Sequence, residues 1–395
     1  MPAGPVGVRQ PLRPRRGPTP RPVEEAIKQH FIPALLGLSL EEAAKDTKTS
    51  EAGLRRLLGN SVKNGGMAIR DPVASAERAR NCSVAAGKVL VESLVGGGRL
   101  DTIAHKQCAR AASQAARKER IEEEQAFIEE LKGRSSQKAK KRLGRAGETG
   151  AWLSVMPSRR YNTLLSQEEF QDNARLRFGL RPLRLCDRCD GCGAAFSVEH
   201  ALNCKKGGLV CIRHNDVRDE AAALCAHALS PSCVKCEPKI FYGTGVRAGQ
   251  QAEQGSAAGA AGDGARGDLS AHGLWKRGET TVLDIKVMDT DAPSYKSTAD
   301  AKKVLERAAR QKKTKYLGAC LERRRSFMPL VYSVDGMAAK EARAFERRTA
   351  SLLASKLDRR YSEMCGIVRS RMALAVVRNN TLLLRGSRMT KAATF

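Results

Sequence analysis

Two groups of residues in this chain have the types and spacing to do chemistry. The first is Cys189-x-x-Cys192 followed by His200-x-x-x-Cys204, two close pairs of soft or borderline ligands around a short loop. Four such ligands close a tetrahedral site, so the spacing predicts a structural Zn²⁺. Cys186-x-x-Cys189 is an equally good opening pair, which leaves open whether Cys186 or Cys189 is the first ligand. The plain alternative is that His200 and Cys204 merely pack. Cys233-x-x-Cys236 has no second pair after it and reads as two thiols on a strand.

The second group is Asp284 and Lys286, two apart within the β-branched apolar run Thr280–Met288. Side chains alternate across a strand, so the two share a face while Leu283, Ile285 and Val287 point into a core. An acid and an amine then stand side by side at a solvent-accessible surface, as a metal-dependent phosphodiesterase requires. An ion pair on a half-buried strand has the same signature, and Asp46-x-Lys48, Glu130-x-Lys132 and Glu237-x-Lys239 also match it. Between the two groups, Arg213, His214 and Arg218 are candidates to reach phosphate, or else form the solvated first turn of an alanine-rich helix running to Leu229.

The elements that must position these residues follow from pattern. Ser166-x-x-Glu169 is a capping box, and Phe170, Ala174 and Phe178 continue at helical spacing until Gly179. Val234 to Tyr242 reads as a strand that Pro238 confines to an edge or a bulge. Asp268 to Trp275 and Thr280 to Met288 pair as a hairpin around Lys276-Arg277-Gly278-Glu279. A two-residue loop sets Asp268 opposite Val287, on the wrong face; a three-residue loop sets it opposite Met288, on the face of Asp284 and Lys286, with His272. An odd loop or a bulge is therefore expected. Lys312 and Tyr316 fall on one helical face, Met328 to Val334 forms a last strand, and two helices follow. The expected fold class is α/β, with a core ordered helix, three strands, helix, strand.

Composition sets the partner class. A formal net charge of +28 over 395 residues points to a polyanion, nucleic acid rather than a membrane surface. No apolar leader and no stretch near the ~20 apolar residues of a membrane span occur, so a soluble, intracellular protein is expected. In such a compartment 12 cysteines are thiols and metal ligands more naturally than disulfides. Residues 1–22, rich in Pro and Arg, read as a disordered basic arm. A helical region covers 23–150, in which the basic run Lys138 to Arg145 reads as a solvated linker or a phosphate-contacting surface. A zinc module follows at 151–212, the α/β core at 213–336 with a flexible Gly/Ala-rich insertion at 248–267, and C-terminal helices at 337–395.

Taken together, the cysteine–histidine cluster, Arg213-His214-Asn215, Asp268, Asp284-x-Lys286 and Lys312-x-x-x-Tyr316 resemble the C-terminal region of non-LTR retrotransposon polyproteins. These carry a zinc knuckle and a restriction-like endonuclease of the PD-(D/E)XK superfamily. The resemblance runs from Trp152 to Arg388, and Gly65 to Pro72 looks like the trailing end of the adjoining reverse transcriptase. It implies a restriction-endonuclease-like core in which Asp268 and Asp284 ligate Mg²⁺, Lys286 orients the attacking water or steadies the phosphorane, and Lys312 and Tyr316 support the scissile phosphate. It also implies a nuclear enzyme that nicks target DNA and meets its element's RNA. Gly267 stands where the motif usually has Pro, and no Asp-Asp pair of the polymerase type occurs, so the chain is not a reverse transcriptase by itself. The alternative reading is a catalytically inactive, zinc-containing, nucleic-acid-binding remnant.

Overall fold

The computed structural model describes residues 20–159, 161–240, 266–292, 294–295 and 300–389. Its amino-terminal half is helical: α1 (Arg21–Ala26), α2 (Ile32–Leu36), α3 (Leu40–Thr47), α4 (Glu51–Gly59), α5 (Pro72–Val95), α6 (Thr102–Arg134) and α7 (Gln137–Arg145). Capping residues set these starts. Ser39 and Glu42 form a capping box on α3, and Asp71 accepts from the N–H groups of Val73 and Ala74 with Pro72 as the first residue of α5. Arg21 and Pro22 already belong to α1, so the predicted basic arm does not reach residue 22; the rest of it lies outside the described residues.

The run Lys138 to Arg145 is a correction. It is not a solvated linker but most of α7, and Arg145 turns inward to pair with Asp291 at 2.5 Å and with Asp335 at 2.5 Å. Five lysines and arginines within residues 138–145 hid the pairing because both acids lie more than a hundred residues downstream.

The second half begins with α8 (Gln167–Phe178), whose predicted capping box is present and whose C-cap Gly179 adopts the left-handed φ of 80°. Then come α9 (Val198–Asn203) and α10 (Leu209–Ala228). Because α10 starts at Leu209, Arg213, His214 and Arg218 sit inside the helix rather than in its first turn. The sheet follows: β1 (Val234–Cys236), β2 (Leu269–His272), β3 (Thr280–Met288), then α11 (Ala301–Leu321) and β4 (Arg325–Ser333), with α12 (Lys340–Leu357) and α13 (Tyr361–Arg385) closing the chain. Strand order is β1-β2-β3-β4, antiparallel except for the parallel pair β3 and β4 that α11 connects. The order from α10 onward is helix, three strands, helix, strand, and the fold is α/β with a small mixed sheet.

Both faces of the sheet are covered. Leu269, Leu283, Ile285, Leu330 and Tyr332 pack with Val217 and Leu224 of α10, Phe345 of α12 and Val368 of α13. On the other face, Val282, Met288, Phe327 and Val331 meet α11 through Leu305, Ala308, Tyr316 and Cys320. Helix α13 also enters the helical half, where Ala373, Leu374 and Val377 join Ile32, Leu54, Phe127, Trp152 and Phe178. Asn380 Nδ2 donates to Asn173 Oδ1 (2.9 Å) and to the Val334 carbonyl (2.8 Å), fastening α13 to α8 and to the turn after β4.

Candidate functional site

The cysteine–histidine group is assembled by local turns. Gly193, at φ 72°, lets its N–H donate back to the Cys189 carbonyl (2.8 Å), and the Cys189 N–H donates to Ala194 (2.8 Å). This tight loop brings Cys192 round beside Cys189. Ser197 caps α9 by accepting from the His200 N–H, and one turn later the Cys204 N–H donates to the His200 carbonyl, so His200 and Cys204 face the loop together. The ligand atoms of Cys189, Cys192, His200 and Cys204 all lie within 4.8 Å of one another. Cys189 Sγ and Cys192 Sγ are each 3.9 Å from Cys204 Sγ, and Cys192 Sγ is 3.4 Å from His200 Nε2. Four ligands at Zn–S bonds of about 2.3 Å have edges of about 3.8 Å, so the spacing matches a tetrahedral ion such as zinc. These four residues could hold a metal ion; Cys186 is exposed and stands outside the group. Burial raises the Cys189 thiol, but hydrogen bonds from His200 and the N–H groups of Gly191 and Cys192 outweigh it and bring it down to about 6.

Support for this group comes from the far end of the chain. Asp190 Oδ2 accepts from the Arg388 N–H (2.8 Å) and from Ser387 (2.7 Å), while the Arg388 guanidinium lies 5.2 Å over the Phe196 ring and donates to the Ala201 carbonyl. A Cβ at Gly191 would stand 2.6 Å from Arg388 Cβ, and one at Gly207 2.4 Å from Arg388 Cα. These glycines thus admit a passing strand of backbone. Gly207 and Gly208, both at positive φ, build the turn into α10.

The carboxylate group depends on register. Leu269 pairs with Leu283 and His272 with Thr280, so the connection is the seven residues 273–279, odd as expected but longer than three. Asp268 lies one step beyond the paired residues, where its N–H donates to the Leu283 carbonyl (3.2 Å), and it comes close enough for its charge to act on Asp284. Asp268 Oδ2 accepts from the Ile285 N–H at 2.5 Å, and Oδ1 lies 3.1 Å from His214 Nε2. Asp284 is only 4% exposed, and Lys312 Nζ stands 2.8 Å from its Oδ2. The expectation of a solvent-accessible acid is thereby corrected: α11 covers that face of β3. Lys286, two residues on, is half-buried.

Burial, and secondarily the Asp268 charge, lifts the Asp284 carboxyl above its ordinary value despite Lys312. Burial acts against the Lys312 ammonium too, but the Asp284 carboxylate outweighs it and raises the lysine. The two groups stand in contact at 2.8 Å, each shifting the other toward its charged form against the cost of burial. Tyr316 is buried against Phe327, with ring centroids 5.6 Å apart, and Lys312 and Lys315 approach its ring at 5.7 and 5.0 Å.

The three residues offered to phosphate separate. Arg213 is 3% exposed and donates to the Leu202 (3.1 Å) and Val287 (3.5 Å) carbonyls, tying α9 to β3; it is neither a phosphate contact nor a solvated first turn. Arg218 is engaged by Asp219 (2.8 Å) and Glu237 (2.9 Å). His214 alone of the three reaches the carboxylates. The contacts of Asp284 with Lys312 and of Asp268 with His214 had no sequence signal beyond the residue types, since each joins separate elements. No family model matches the chain, and no curated protein matches it.

Proposed function

We propose that the chain is a Mg²⁺-dependent DNA endonuclease derived from a retrotransposon, carrying a structural zinc on Cys189, Cys192, His200 and Cys204. The observation that carries this reading is the nearness of two carboxylates, Asp268 at the end of β2 and the buried Asp284 on β3, with Lys286 on the face of Asp284 and Lys312 in contact. Two neighbouring carboxylates suit a hard divalent cation, and Asp268 and Asp284 are the residues to hold it. When bound, Mg²⁺ supplies Lewis acidity and a lowered pKa for water. His214 holds Asp268 in orientation through Oδ1 while the Ile285 N–H fixes Oδ2. Lys286 steadies charge that grows on the phosphoryl oxygens. Lys312 offsets part of the cost of charge on the buried Asp284 and, moved aside, becomes available to the phosphate.

The high positive charge supports nucleic acid as the substrate, and the order of cluster, carboxylates and lysine supports a retroelement origin and action in the nucleus. One observation favours the alternative, a catalytically inactive nucleic-acid-binding remnant: Lys312 already occupies Asp284 from within the protein. Incubation with supercoiled plasmid decides between them. Nicking in Mg²⁺ that EDTA abolishes supports the enzyme; salt-sensitive binding without nicking, in Mg²⁺ or Mn²⁺, overturns it in favour of the remnant.

A further inference from the structure

Two arginines, one on α7 and one on α8, have no carboxylate within ion-pair distance among the described residues, Asp291 and Asp335 acting on them only from farther off. Arg142, on α7, makes no hydrogen bond or ion pair with any described residue. Its tip lies over Gly179, where even a methyl group would stand 2.2 Å from Nη1. Arg177, on α8, donates through Nη1 to the Ala146 carbonyl (3.3 Å) and Thr149 Oγ1 (3.3 Å) and through Nη2 to the Val62 (2.9 Å) and Gly66 (3.4 Å) carbonyls, all neutral acceptors, and leaves its Nε buried without a partner. Burial pulls the Arg177 guanidinium down to about 10. Lys48, the left-handed C-cap of α3, adds an exposed ammonium with no partner among the described residues.

These three cations line two adjoining cavities of about 600 and 330 Å³. The acids on the same walls are engaged elsewhere. Glu199 holds Lys138, Asp291 and Asp335 hold Arg145, and Glu130 holds Arg134. Asp46 accepts from the Arg181 N–H, and Asp289 from Asn203 and the Asp291 N–H. An enclosed cation without a contacting counter-charge is costly, and an anionic ligand reduces that cost. The planar guanidinium fork suits phosphate oxygens. The smaller cavity is too large for orthophosphate alone, and Leu54, Leu57, Phe127 and Phe178 make part of its wall apolar.

We infer that these cavities bind a phosphate ester of nucleotide type, the phosphate between Arg142, Arg177 and Lys48 and the flat organic part against Leu57 and Phe127. The site is separate from the carboxylates and does not depend on nuclease activity. Such an ester has two sources, a free nucleotide or an unstacked nucleotide of a strand.

Calorimetry of the full chain with orthophosphate, a nucleoside 5′-monophosphate and a short single-stranded oligonucleotide tests this. The monophosphate should bind saturably and more tightly than orthophosphate. Arg142→Lys, which keeps the charge and loses the fork, should weaken it about tenfold, and Lys48→Ala, at an exposed position, by a few-fold. Unchanged helical circular dichroism and metal content certify the fold of both variants. Displacement of the monophosphate by the oligonucleotide identifies a strand as the source; its failure identifies the free nucleotide. The inference is overturned by no saturable monophosphate binding, by orthophosphate binding equally well, or by both variants binding as the unmodified chain does.

Discussion

The cysteine cluster and the carboxylate pair are both candidate metal centres, yet they stand in opposite states of readiness. In the cluster, three thiols and an imidazole converge with no cation among them, and the backbone turns that aim them are complete. In the sheet, each acid already has a partner: His214 for Asp268 and Lys312 for Asp284. The first group could take an ion without giving up an internal contact. A metal at the second would have to exchange an internal cation for an external one, and its affinity would be reduced by the free energy of the contacts given up.

The largest effect that could break this contrast concerns the cluster. Metal binding at such a site is folding free energy, on the order of 10 kcal/mol in isolated zinc modules. Chelation, or Cys189→Ser, should abolish metal content and expose the segment from Trp152 to Leu209 to proteolysis, whereas Cys186→Ser should leave one metal per chain by elemental analysis. Equal loss in both variants would return the exposed cysteine to the ligand set.

Next in size is the sheet. Asp284→Asn should take plasmid nicking to background with DNA affinity unchanged or slightly higher, and Lys286→Ala should lower nicking by about 10²–10³-fold without weakening Mg²⁺ binding. Nicking by Asp284→Asn at the unmodified rate would show the active site to be elsewhere, with Glu237 and Lys239 the next pair to test.

A smaller effect sharpens the role of Lys312. Glu346 is a buried acid in the same half that has Tyr332 OH at 3.2 Å but no cation in contact, and burial pushes its carboxyl up to about 7. Its folded-state value exceeds the unfolded one, so the contribution is full below about 4.5 and is lost as pH rises through about 7. Thermal unfolding should accordingly lose up to about 3 kcal/mol between pH 4.5 and 8 from this group, and Glu346→Gln should flatten that slope. A slope unchanged in the variant would assign it to other groups. The smallest effect is at Gly267, where a Cβ would stand 2.4 Å from Val282 Cγ1 and the N–H donates to Pro238 (3.0 Å). Gly267→Ala should cost about 1–3 kcal/mol in denaturant unfolding, and Gly267→Pro more, which explains the departure from the usual Pro.

What could be read from the sequence was what lies close along it. The capping box at Ser166, the cluster spacing and the parity of the β2–β3 connection all follow from neighbours or from alternation. What stayed hidden depended on distant charges. Arg145 reads as one of a basic run until Asp291 and Asp335 are brought to it, and Arg213 looks available to phosphate until α9 and β3 supply carbonyls. Two arginines of α13 behave likewise: Arg371 pairs with Glu220 and Arg385 with Asp172, at 2.5 and 2.7 Å. The burial of Asp284 was missed because alternation reports which face a residue takes, and not whether a helix covers it.

Helix α13 contributes Met364, Val368, Met372 and Val376 to the sheet's core and Ala373, Leu374 and Val377 to that of the amino-terminal helices. Freeing it would strip an apolar wall from both at once, so neither half has a low-energy route to open alone. Heat should melt the two together as one cooperative transition, and a polar residue at Leu374 should lower the midpoint seen by a probe in either half.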